Sequence, residues 1–482
     1  MSTLVTETRP GLYVDGEWSA RGAGTEEVRS PWDGALLATV PTAGPEEVER
    51  AVAAAARAAR DPLPPFRRYE ILSATAAIIE ERGEEHARTI VAESAKPIRD
   101  ARGEVARAVQ TIRLCAEEAK RLAGETVPFD ATRGAESKFG FTMLMPAGPV
   151  CAITPFNAPL NQINHKVPTA LAAGCPAVLK PAEATPLSAI ALVEAFEQAG
   201  LPPGHLNLLL GPGETVGEQL LNDERFAAYS FTGSVAVGRH IRRTVGLRKT
   251  LLELGNSAAN IVHSDADLDR AAAAIAKSAY AYAGQLCISA QRAIVQEDVA
   301  EEFVARLLAR VGELRVGDPT SEDTDVGPMI DDAAAARAEA AIAGAVAGGA
   351  RVAIGGNRDG RLFEPTVLVG VDPTMGIACD EAFAPVLAVM TYATLEEACE
   401  IANATRYGLQ AAVFTERIDT AFHLARRVEF GGVMVNEGSQ FRVDQMPFGG
   451  VKESGVGREG VRYAIEEFTE PRLVAFDLRR PE

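Results

Sequence analysis

Three side chains of this chain are of types, and in settings, that suit nucleophilic catalysis. Cys287 lies in AGQLCISAQR, between a predicted helix and an apolar strand, where a loop would expose a thiol nucleophile. Glu253 lies at the end of the apolar strand in TLLELGN, where burial would raise the pKa of its carboxyl group toward that of a general base. Asn157 lies in the Pro-bounded turn ITPFNAPL, where its amide would donate to an oxyanion.

A structural role is the alternative for each of these three residues. Isolated cysteines are mostly buried small hydrophobes, a carboxylate at a strand end often pairs with a cation, and an asparagine in a turn commonly closes an Asx-turn. No GxSxG motif occurs, so a serine hydrolase is unsupported. A cysteine hydrolase would need a histidine partner, and the only histidine close to these motifs is His165. Taken singly, the residues leave catalysis and structure both open.

Two glycines in FTGSVAVG, Gly233 and Gly238, lie between a predicted strand and a predicted helix. Backbone amides at such a junction can face a pyrophosphate group, although a tight turn alone would also require glycine. Arg239 and His240 follow where a Walker loop has Lys and Ser or Thr, and the GxGxxG pattern is absent. The position therefore favours a nucleotide site that is neither a Walker loop nor a GxGxxG dinucleotide motif.

The charge balance excludes several classes of partner. The chain has 48 Lys and Arg and 66 Asp and Glu, a formal net charge of −18, and no run of basic residues. Nucleic acid and anionic membranes are unsupported as partners because phosphate attraction requires a concentrated basic surface. No apolar stretch reaches about 18 residues, and the start, MSTLVTETRPGLYVDGEW, lacks a secretory pattern. A cytoplasmic protein is predicted.

The six cysteines are dispersed along the chain, at positions 115, 151, 175, 287, 379 and 399. They form no CxxC motif and no cluster with the six histidines. Free thiols and no bound metal are therefore predicted.

The spacing of apolar residues predicts an α/β architecture for the elements that hold these candidates. Residues 45–124 have apolar side chains at helical spacing and predict a helical layer. From residue 176 strands such as PAVLK, HLNLLL, FAAYSF and KTLLEL alternate with helices, which indicates a parallel sheet covered by helices. The alternation resumes after residue 260, so two α/β domains in series are predicted. The later predicted helices lie in 265–283, 298–314 and 331–347, and the later strands near 292–296, 365–371 and 409–414.

Eight motifs follow one another in order: ITPFNAPL, VLKPAEATP, FTGS, LLELGN, GQLC, DEAFAPV, YGLQAAVF and MPFGGVKESGVGRE. Together they resemble the NAD(P)-dependent aldehyde dehydrogenase superfamily, from about Leu12 to Phe476. The segments GEVARA, CISAQR and FRVDQMPFGGVKESGVGREG are most similar to the branch containing lactaldehyde and phosphonoacetaldehyde dehydrogenases. Ala158 and Leu286 stand where the phosphonoacetaldehyde enzymes have His and Arg, which argues against a phosphonate substrate.

The resemblance implies an aldehyde dehydrogenase-like fold with two parallel-sheet α/β domains and a small β arm. The Rossmann-like NAD-binding domain would comprise residues 1–123 and 147–252, and the catalytic domain residues 253–460. The arm would comprise residues 124–146 and 461–482 and would join copies into a homodimer or homotetramer.

The resemblance also implies chemical roles. Cys287 would attack an aldehyde as a thiolate, the Asn157 amide and the Cys287 N–H would hold the oxyanion, and Glu253 would activate water against the thioester. NAD is the implied cofactor, with NADP possible, because the Glu183 carboxylate would accept from a ribose 2′-hydroxyl and repel a 2′-phosphate. The implied cofactor-binding residues are Ile153, Thr154, Pro155, Phe156, Lys180, Ala182, Glu183, Gly213, Gly217, Phe231, Thr232, Gly233, Ser234, Val237, Leu254, Gly255, Glu381 and Phe383.

Positions that line the acyl tunnel in this family are mostly polar here. Because an arginine is costly to bury without an anion, Arg107 and Arg442 favour a short aldehyde carrying a hydroxyl or anionic group. The alternative is that both arginines form internal ion pairs with acids such as Glu104 and Asp444. The implied substrate-binding residues are Arg107, Asn161, Gln162, His165, Leu286, Ile288, Gln440 and Arg442.

Two further classes of function remain. A CoA-acylating aldehyde dehydrogenase would share the motifs but would not need Glu253 as a base. A non-catalytic binding protein of the same fold would be expected to have lost Cys287 or Asn157.

Overall fold

The computed structural model describes residues 11–478, so residues 1–10 and 479–482 of the predicted domains lie outside the described part. Eight strands form the first large sheet: β1 (Leu12–Val14), β2 (Glu17–Ser19), β7 (Val150–Ile153), β8 (Ala177–Lys180), β9 (Leu206–Leu208), β10 (Ala228–Thr232), β11 (Lys249–Glu253) and β21 (Gly455–Val456). Their order is β2-β1-β9-β8-β7-β10-β11-β21. The five strands from β9 to β11 in this order are parallel, and the outer strands are antiparallel to their neighbours.

Seven strands form the second large sheet: β12 (Ala258–Val262), β13 (Ala290–Gln296), β14 (Arg351–Ile354), β17 (Thr366–Val369), β18 (Val386–Tyr392), β19 (Gln410–Phe414) and β20 (Gly432–Val435). Their order is β14-β17-β18-β13-β12-β19-β20, and all but β14 are parallel to their neighbours. The central strands β12 and β13 are almost entirely buried because helices cover both faces of such a sheet.

The small sheets lie outside these two. One is antiparallel, in the order β22-β6-β5, and joins β5 (Thr126–Val127), β6 (Lys138–Pro146) and β22 (Thr469–Asp477). The others are the pairs β3 (Gly24–Arg29) with β4 (Leu36–Thr42), and β15 (Arg358–Asp359) with β16 (Leu362–Phe363).

The helices follow the predicted spacing of apolar residues. The helical layer of the first domain contains α1 (Pro45–Ala58), α2 (Pro65–Glu81), α3 (Gly83–Ser94) and α4 (Ile98–Ala119). The later helices are α5 (Asn161–Asn164), α6 (Val167–Ala173), α7 (Pro186–Gln198), α8 (Glu218–Leu221), α9 (Val235–Val245), α10 (Leu268–Tyr280), α11 (Ala300–Gly312), α12 (Asp332–Ala347), α13 (Gly376–Cys379), α14 (Leu395–Asn403), α15 (Ile418–Arg427) and α16 (Val461–Glu467). None of the described helices is long and apolar enough to cross a membrane.

Side-chain caps fix where several helices begin. Ser234, Asp267 and Asp331 precede α9, α10 and α12, and each side chain accepts a hydrogen bond from the backbone N–H three residues later. Such a cap satisfies one of the N–H groups that a helix start leaves without a partner.

Two predicted domain boundaries differ from the observed packing. The helix α16 belongs to the core of the first domain, where Val461, Ala464 and Ile465 are buried, and not to the β arm. The strand β21 likewise extends the first sheet by pairing with β11, although 253–460 was predicted as the second domain. The apolar side chains of α16 complete the core of the first domain, and the backbone of β21 pairs with β11 at the edge of its sheet.

Strand register brings the chemical motifs to one edge of the first sheet. Ile153 of β7 is paired with Phe231 of β10, and Thr232 is paired with Glu253 of β11. Because these strands are parallel, the loops after them emerge side by side at the carboxyl edge. The first strand of the second sheet along the chain, β12, begins at Ala258, shortly after Glu253.

Candidate active site

A cavity of 1040 Å³ lies between the two domains at this edge. All 18 predicted cofactor residues line it, together with Asn157 and Cys287. It also includes residues that the sequence analysis missed: Pro212, Glu214, Glu218, Leu221, Ala236, His240, Ile241, Ala334, Arg337 and Ala382. Helical spacing from Gly217 and Val237 would have found several of these, whereas Ala334 and Arg337 come from α12 of the other domain and had no local signal.

Asn157 is buried in the turn after β7. Its Nδ2 donates to the backbone oxygen of Gln285 at 2.9 Å, and its Oδ1 has no partner among the described residues. Gln285 itself is fully buried and accepts from the N–H of Ile330 through Oε1 at 2.9 Å. The Asn157 amide is therefore held against the loop that leads to Cys287.

Cys287 lies partly exposed at the floor of the cavity. Tyr282, Ala283 and Gly284, just before it, all have left-handed backbone angles, with φ of 48°, 51° and 67°. This conformation disfavours residues with a Cβ, so surrounding contacts must hold the loop. Burial raises the pKa of the Cys287 thiol to about 12, and the positive charge of Arg442 acts in the opposite direction.

Glu253 is 1% exposed at the end of β11, and both its carboxylate oxygens lack a hydrogen-bond partner among residues 11–478. Burial, and then the nearby charge of Glu459, raise the pKa of this carboxyl group well above its usual value. A Cβ at Gly449 would lie 2.9 Å from Glu253 Oε1, so glycine there leaves the carboxyl group room. Glu253 is thus a candidate proton acceptor whose carboxyl oxygens make no hydrogen bond with any described residue.

The cations and carboxylates beside Glu253 form a charge cluster of Arg107, Lys166, Arg442, Asp444 and Glu459. Lys166 Nζ donates to Glu459 at 2.8 Å, and Arg442 donates to the other oxygen of the same carboxylate at 3.0 Å. Burial acts to raise the pKa of Glu459, but the cations around it outweigh burial and lower that pKa. Glu459 is therefore a fixed anion beside the proton acceptor.

The guanidinium group of Arg442 also lies 3.6 Å from the centre of the Phe448 ring. Phe448 packs with Ile288 and Leu409, and Cys287 lies against the same apolar group. One nitrogen of the Arg442 side chain, Nε, is buried and has no hydrogen-bond partner among the residues that the structure describes. Arg442 therefore brings a cation with an unused donor close to the reactive thiol.

Internal ion pairs, the alternative considered for the two arginines, are what the structure shows. Arg107 donates three hydrogen bonds to the carboxylate of Asp444, the shortest at 2.7 Å. Arg442 pairs with Glu459, and Glu104 pairs with Lys96 instead of with an arginine.

None of the eight predicted substrate residues lines the 1040 Å³ cavity. Gln440 and Arg107 line a separate cavity of 970 Å³ beside α4 and α10, and Leu286 lines a small one next to Cys287. Asn161, Gln162, His165 and Ile288 are buried. Burial, followed by repulsion from Arg442, lowers the pKa of His165 to about 3, so His165 is neutral. Their contact with substrate stays a prediction.

At the far end of the cavity, Glu183 accepts from Lys180 Nζ at 2.8 Å and from the Gly213 N–H at 2.7 Å. Burial opposes ionisation, but Lys180 outweighs it and lowers the pKa of Glu183. At the near end, Glu381 accepts from the Asn256 N–H at 2.9 Å, and burial raises the pKa of its carboxyl group to about 7.

The family model described as the aldehyde dehydrogenase family matches residues 18–474. A 3-sulfolactaldehyde dehydrogenase of Priestia aryabhattai is 44% identical, with 99% of this chain and all of that protein covered. A lactaldehyde dehydrogenase of Methanocaldococcus jannaschii is 39% identical, with 96% and 99% covered. A crystal structure of Staphylococcus aureus betaine aldehyde dehydrogenase with NAD+ superposes with a TM-score of 0.95 at 31% identity, with 99% and 97% covered.

These matches extend over nearly the whole chain and agree in fold with the two-domain α/β architecture described above. They confirm the resemblance inferred from the eight motifs. The chain belongs to the aldehyde dehydrogenase family.

Proposed function

We propose that the protein oxidises a small aldehyde bearing an anionic or hydroxyl group to the carboxylic acid, with NAD as cofactor. The observation that carries the proposal is that a thiol and an amide side chain line a dinucleotide-sized cavity, with the buried carboxyl group of Glu253 near enough to the thiol for its charge to raise the thiol pKa. These are the groups that covalent oxidation of an aldehyde requires: a nucleophile, an oxyanion donor and a base.

Cys287 attacks the aldehyde carbon as a thiolate and forms a thiohemiacetal. The new oxyanion accepts from the Cys287 N–H and from Asn157 Nδ2, which exchanges its bond to Gln285 for the substrate oxygen. NAD supplies the acceptor for the hydride that this adduct loses. Glu253 then takes a proton from the water that attacks the thioester, the C–S bond breaks, and the carboxylic acid and the Cys287 thiolate are released.

The cavity residues fit a dinucleotide. Lys180 and Glu183 offer a donor and an acceptor for ribose hydroxyls, and the α9 N-terminus at Ser234 faces the cavity with N–H groups suited to a diphosphate. Glu381 offers an acceptor for the second ribose, and Phe383, edge-on to Phe156 at 6.0 Å, a flat apolar surface for the nicotinamide. The volume is at the upper end of the range for small-molecule sites.

Glu183→Gln is expected to improve the use of NADP relative to NAD by about tenfold. The charge of Glu183 repels a 2′-phosphate, and about 1.4 kcal/mol of repulsion corresponds to that ratio. The measurement is kcat/KM with each cofactor for the wild type and the variant. A wild type that prefers NADP would contradict the selectivity assigned to Glu183.

The charge cluster supports an anionic or strongly polar substrate. The charge cluster contains three cations, Arg107, Lys166 and Arg442, and two carboxylates, Asp444 and Glu459. An anionic or hydroxyl group of a substrate can make charge-assisted hydrogen bonds with such cations. The relatives named for 3-sulfolactaldehyde and lactaldehyde act on aldehydes of this kind.

A screen of aldehydes of matched length tests this function, with sulfonate, carboxylate, hydroxyl and methyl groups at the far end. NADH formation should be most efficient with the charged or hydroxylated members. Running each reaction with and without CoA separates water from CoA as the acyl acceptor. No NADH from any aldehyde would favour a non-catalytic binding protein instead.

Arg107→Ala is expected to raise KM for the best charged aldehyde about tenfold, the scale of one lost charge-assisted contact, and to change KM for propanal little. Arg107 is the member of the cluster that is one-third exposed, so an incoming anion can reach it. Arg107→Lys, which keeps the charge, is the matched control. Equal losses with both substrates would show that Arg107 serves only its ion pair with Asp444.

We also propose that copies of the chain associate through the β arm as a homodimer or homotetramer. The exposed apolar side chains Phe139, Met143, Leu473 and Phe476 lie on β6 and β22, and β22 is an open sheet edge. Light scattering should give at least twice the 51.0 kDa chain mass at micromolar concentration.

The six free cysteines suit the reducing cytoplasm, which we propose as the location.

A further inference from the structure

The two proposed oxyanion donors lie on separate loops from separate domains. Asn157 follows β7 of the first sheet, whereas Cys287 precedes β13 of the second. Oxyanion stabilisation depends on donors fixed at hydrogen-bond distance from the position of the developing charge. Something must therefore set the two loops relative to each other.

Glu104 of α4 anchors the first of these loops. It is buried, and its Oε1 accepts from the N–H of Leu160 and from the N–H of Asn161, both at 3.0 Å. These two N–H groups close the turn that begins with Asn157. The other oxygen of Glu104 accepts from Lys96 Nζ.

Lys96 extends this anchor to the second loop. Its buried ammonium group lies 4.8 Å from the centre of the Tyr282 ring, and Tyr282 donates through its hydroxyl to the Ser94 backbone oxygen at 2.8 Å. Tyr282 is the first of the three left-handed residues that lead to Cys287. The segment 94–96 thus holds the conformation-restricted start of the catalytic loop.

These contacts connect the Asn157 loop and the Cys287 loop at two places. At one end the loops meet through Asn157 and the Gln285 backbone oxygen, and at the other through Lys96 and Glu104. A buried ion pair is a weak source of stability, because desolvation offsets the attraction of its charges. Beyond their contact with each other, Glu104 contacts the Asn157 loop and Lys96 contacts Tyr282 of the Cys287 loop.

We propose that Lys96 and Glu104 are positioning residues that set the two halves of the oxyanion site relative to each other. The proposal rests on the proposed function, because it takes Asn157 and the Cys287 N–H as the oxyanion donors. Neither residue touches the substrate. Both act on the step that forms the thiohemiacetal and releases the hydride.

The test compares Glu104→Ala with Glu93→Ala. Glu93 is equally buried and accepts from the N–H groups of Leu187 and Ser188, at 2.7 and 2.9 Å, at the start of α7 instead of at the Asn157 turn. Rapid mixing with aldehyde and NAD measures the rate constant of the first turnover of NADH. We expect Glu104→Ala to lower it about tenfold or more, a fraction of the 10²- to 10³-fold cost of losing an oxyanion donor. Glu93→Ala should change it less than twofold, even if both variants lower Tm.

Two further variants separate positioning from general damage. In an Asn157→Ala background, Glu104→Ala should cost less than threefold, because the donor that it positions is already absent. The pair Lys96→Met with Glu104→Gln keeps an acceptor for the two N–H groups without leaving a buried charge. This double variant should fold even if Glu104→Ala fails to fold. The rate constant of its first turnover should be lowered less than that of the single variant Glu104→Gln.

Equal losses in the Glu93 and Glu104 variants, additive losses with Asn157→Ala, or an unchanged first turnover in Glu104→Ala would overturn the proposal. If Glu104→Ala does not fold, the double variant Lys96→Met, Glu104→Gln takes its place. An unchanged first-turnover rate in that double variant, or a loss of rate that is additive with the loss in Asn157→Ala, would then overturn the proposal. A wild type that forms no NADH from any aldehyde would instead reject the proposed function itself.

Discussion

Cys287→Ala is expected to form no detectable NADH from any aldehyde and to bind NAD as the wild type does. Hydride loss requires the tetrahedral adduct, and the side chain that forms it is then absent. The loss should exceed about 10⁴-fold in first-turnover rate, the scale on which nucleophile removal acts. Stopped-flow NADH formation and calorimetric titration with NAD provide the two measurements.

Cys399→Ala is the matched control, because Cys399 is a buried thiol on α14 that lies outside the cavity. It should retain wild-type turnover. NADH formation by Cys287→Ala within tenfold of the wild type would assign the nucleophile to another group.

Glu253→Gln is expected to release one equivalent of NADH per site at near-normal speed and then to turn over about 10² times more slowly or worse. The first turnover does not use Glu253, whereas hydrolysis of the thioester loses its base. Stopped-flow traces resolve the burst from the slow phase. Added hydroxylamine, which needs no base to attack a thioester, should restore turnover.

The pH dependence gives an independent check on Glu253. Burial holds the proton on its carboxyl group to a higher pH than usual, so the basic form increases as pH rises. The wild-type steady-state rate should therefore rise with pH where hydrolysis limits it, and the slow phase of Glu253→Gln should lack that rise. A variant with no burst, or with wild-type steady-state turnover, would remove Glu253 from the hydrolysis step.

The residues predicted to bind the cofactor all line one cavity, because most of them lie in short motifs at or just after the ends of strands. Ile153, Thr232 and Glu253 end neighbouring parallel strands, so motifs separated along the chain meet at one sheet edge. Period and turn residues are enough to place such strands, and the order of the motifs indicates the family.

Contacts between side chains that are far apart in the chain could not be predicted from the sequence. Nothing local shows that Lys166 meets Glu459, that Lys96 meets Glu104, or that α12 contributes Arg337 to the cavity. The left-handed residues before Cys287 were also missed, because Tyr282 and Ala283 have no preference for that conformation. These features depend on packing between segments that are far apart in sequence.

The first domain is built from segments that lie far apart in the chain. The strand β21 and the helix α16, residues 455–467, supply the last strand and part of the core of a domain whose first strand is β1. During synthesis the second sheet is complete once β20 has emerged, whereas the first domain still lacks its closing elements. The core and the sheet edge of the first domain can therefore be completed only after residues 455–467 have been synthesised.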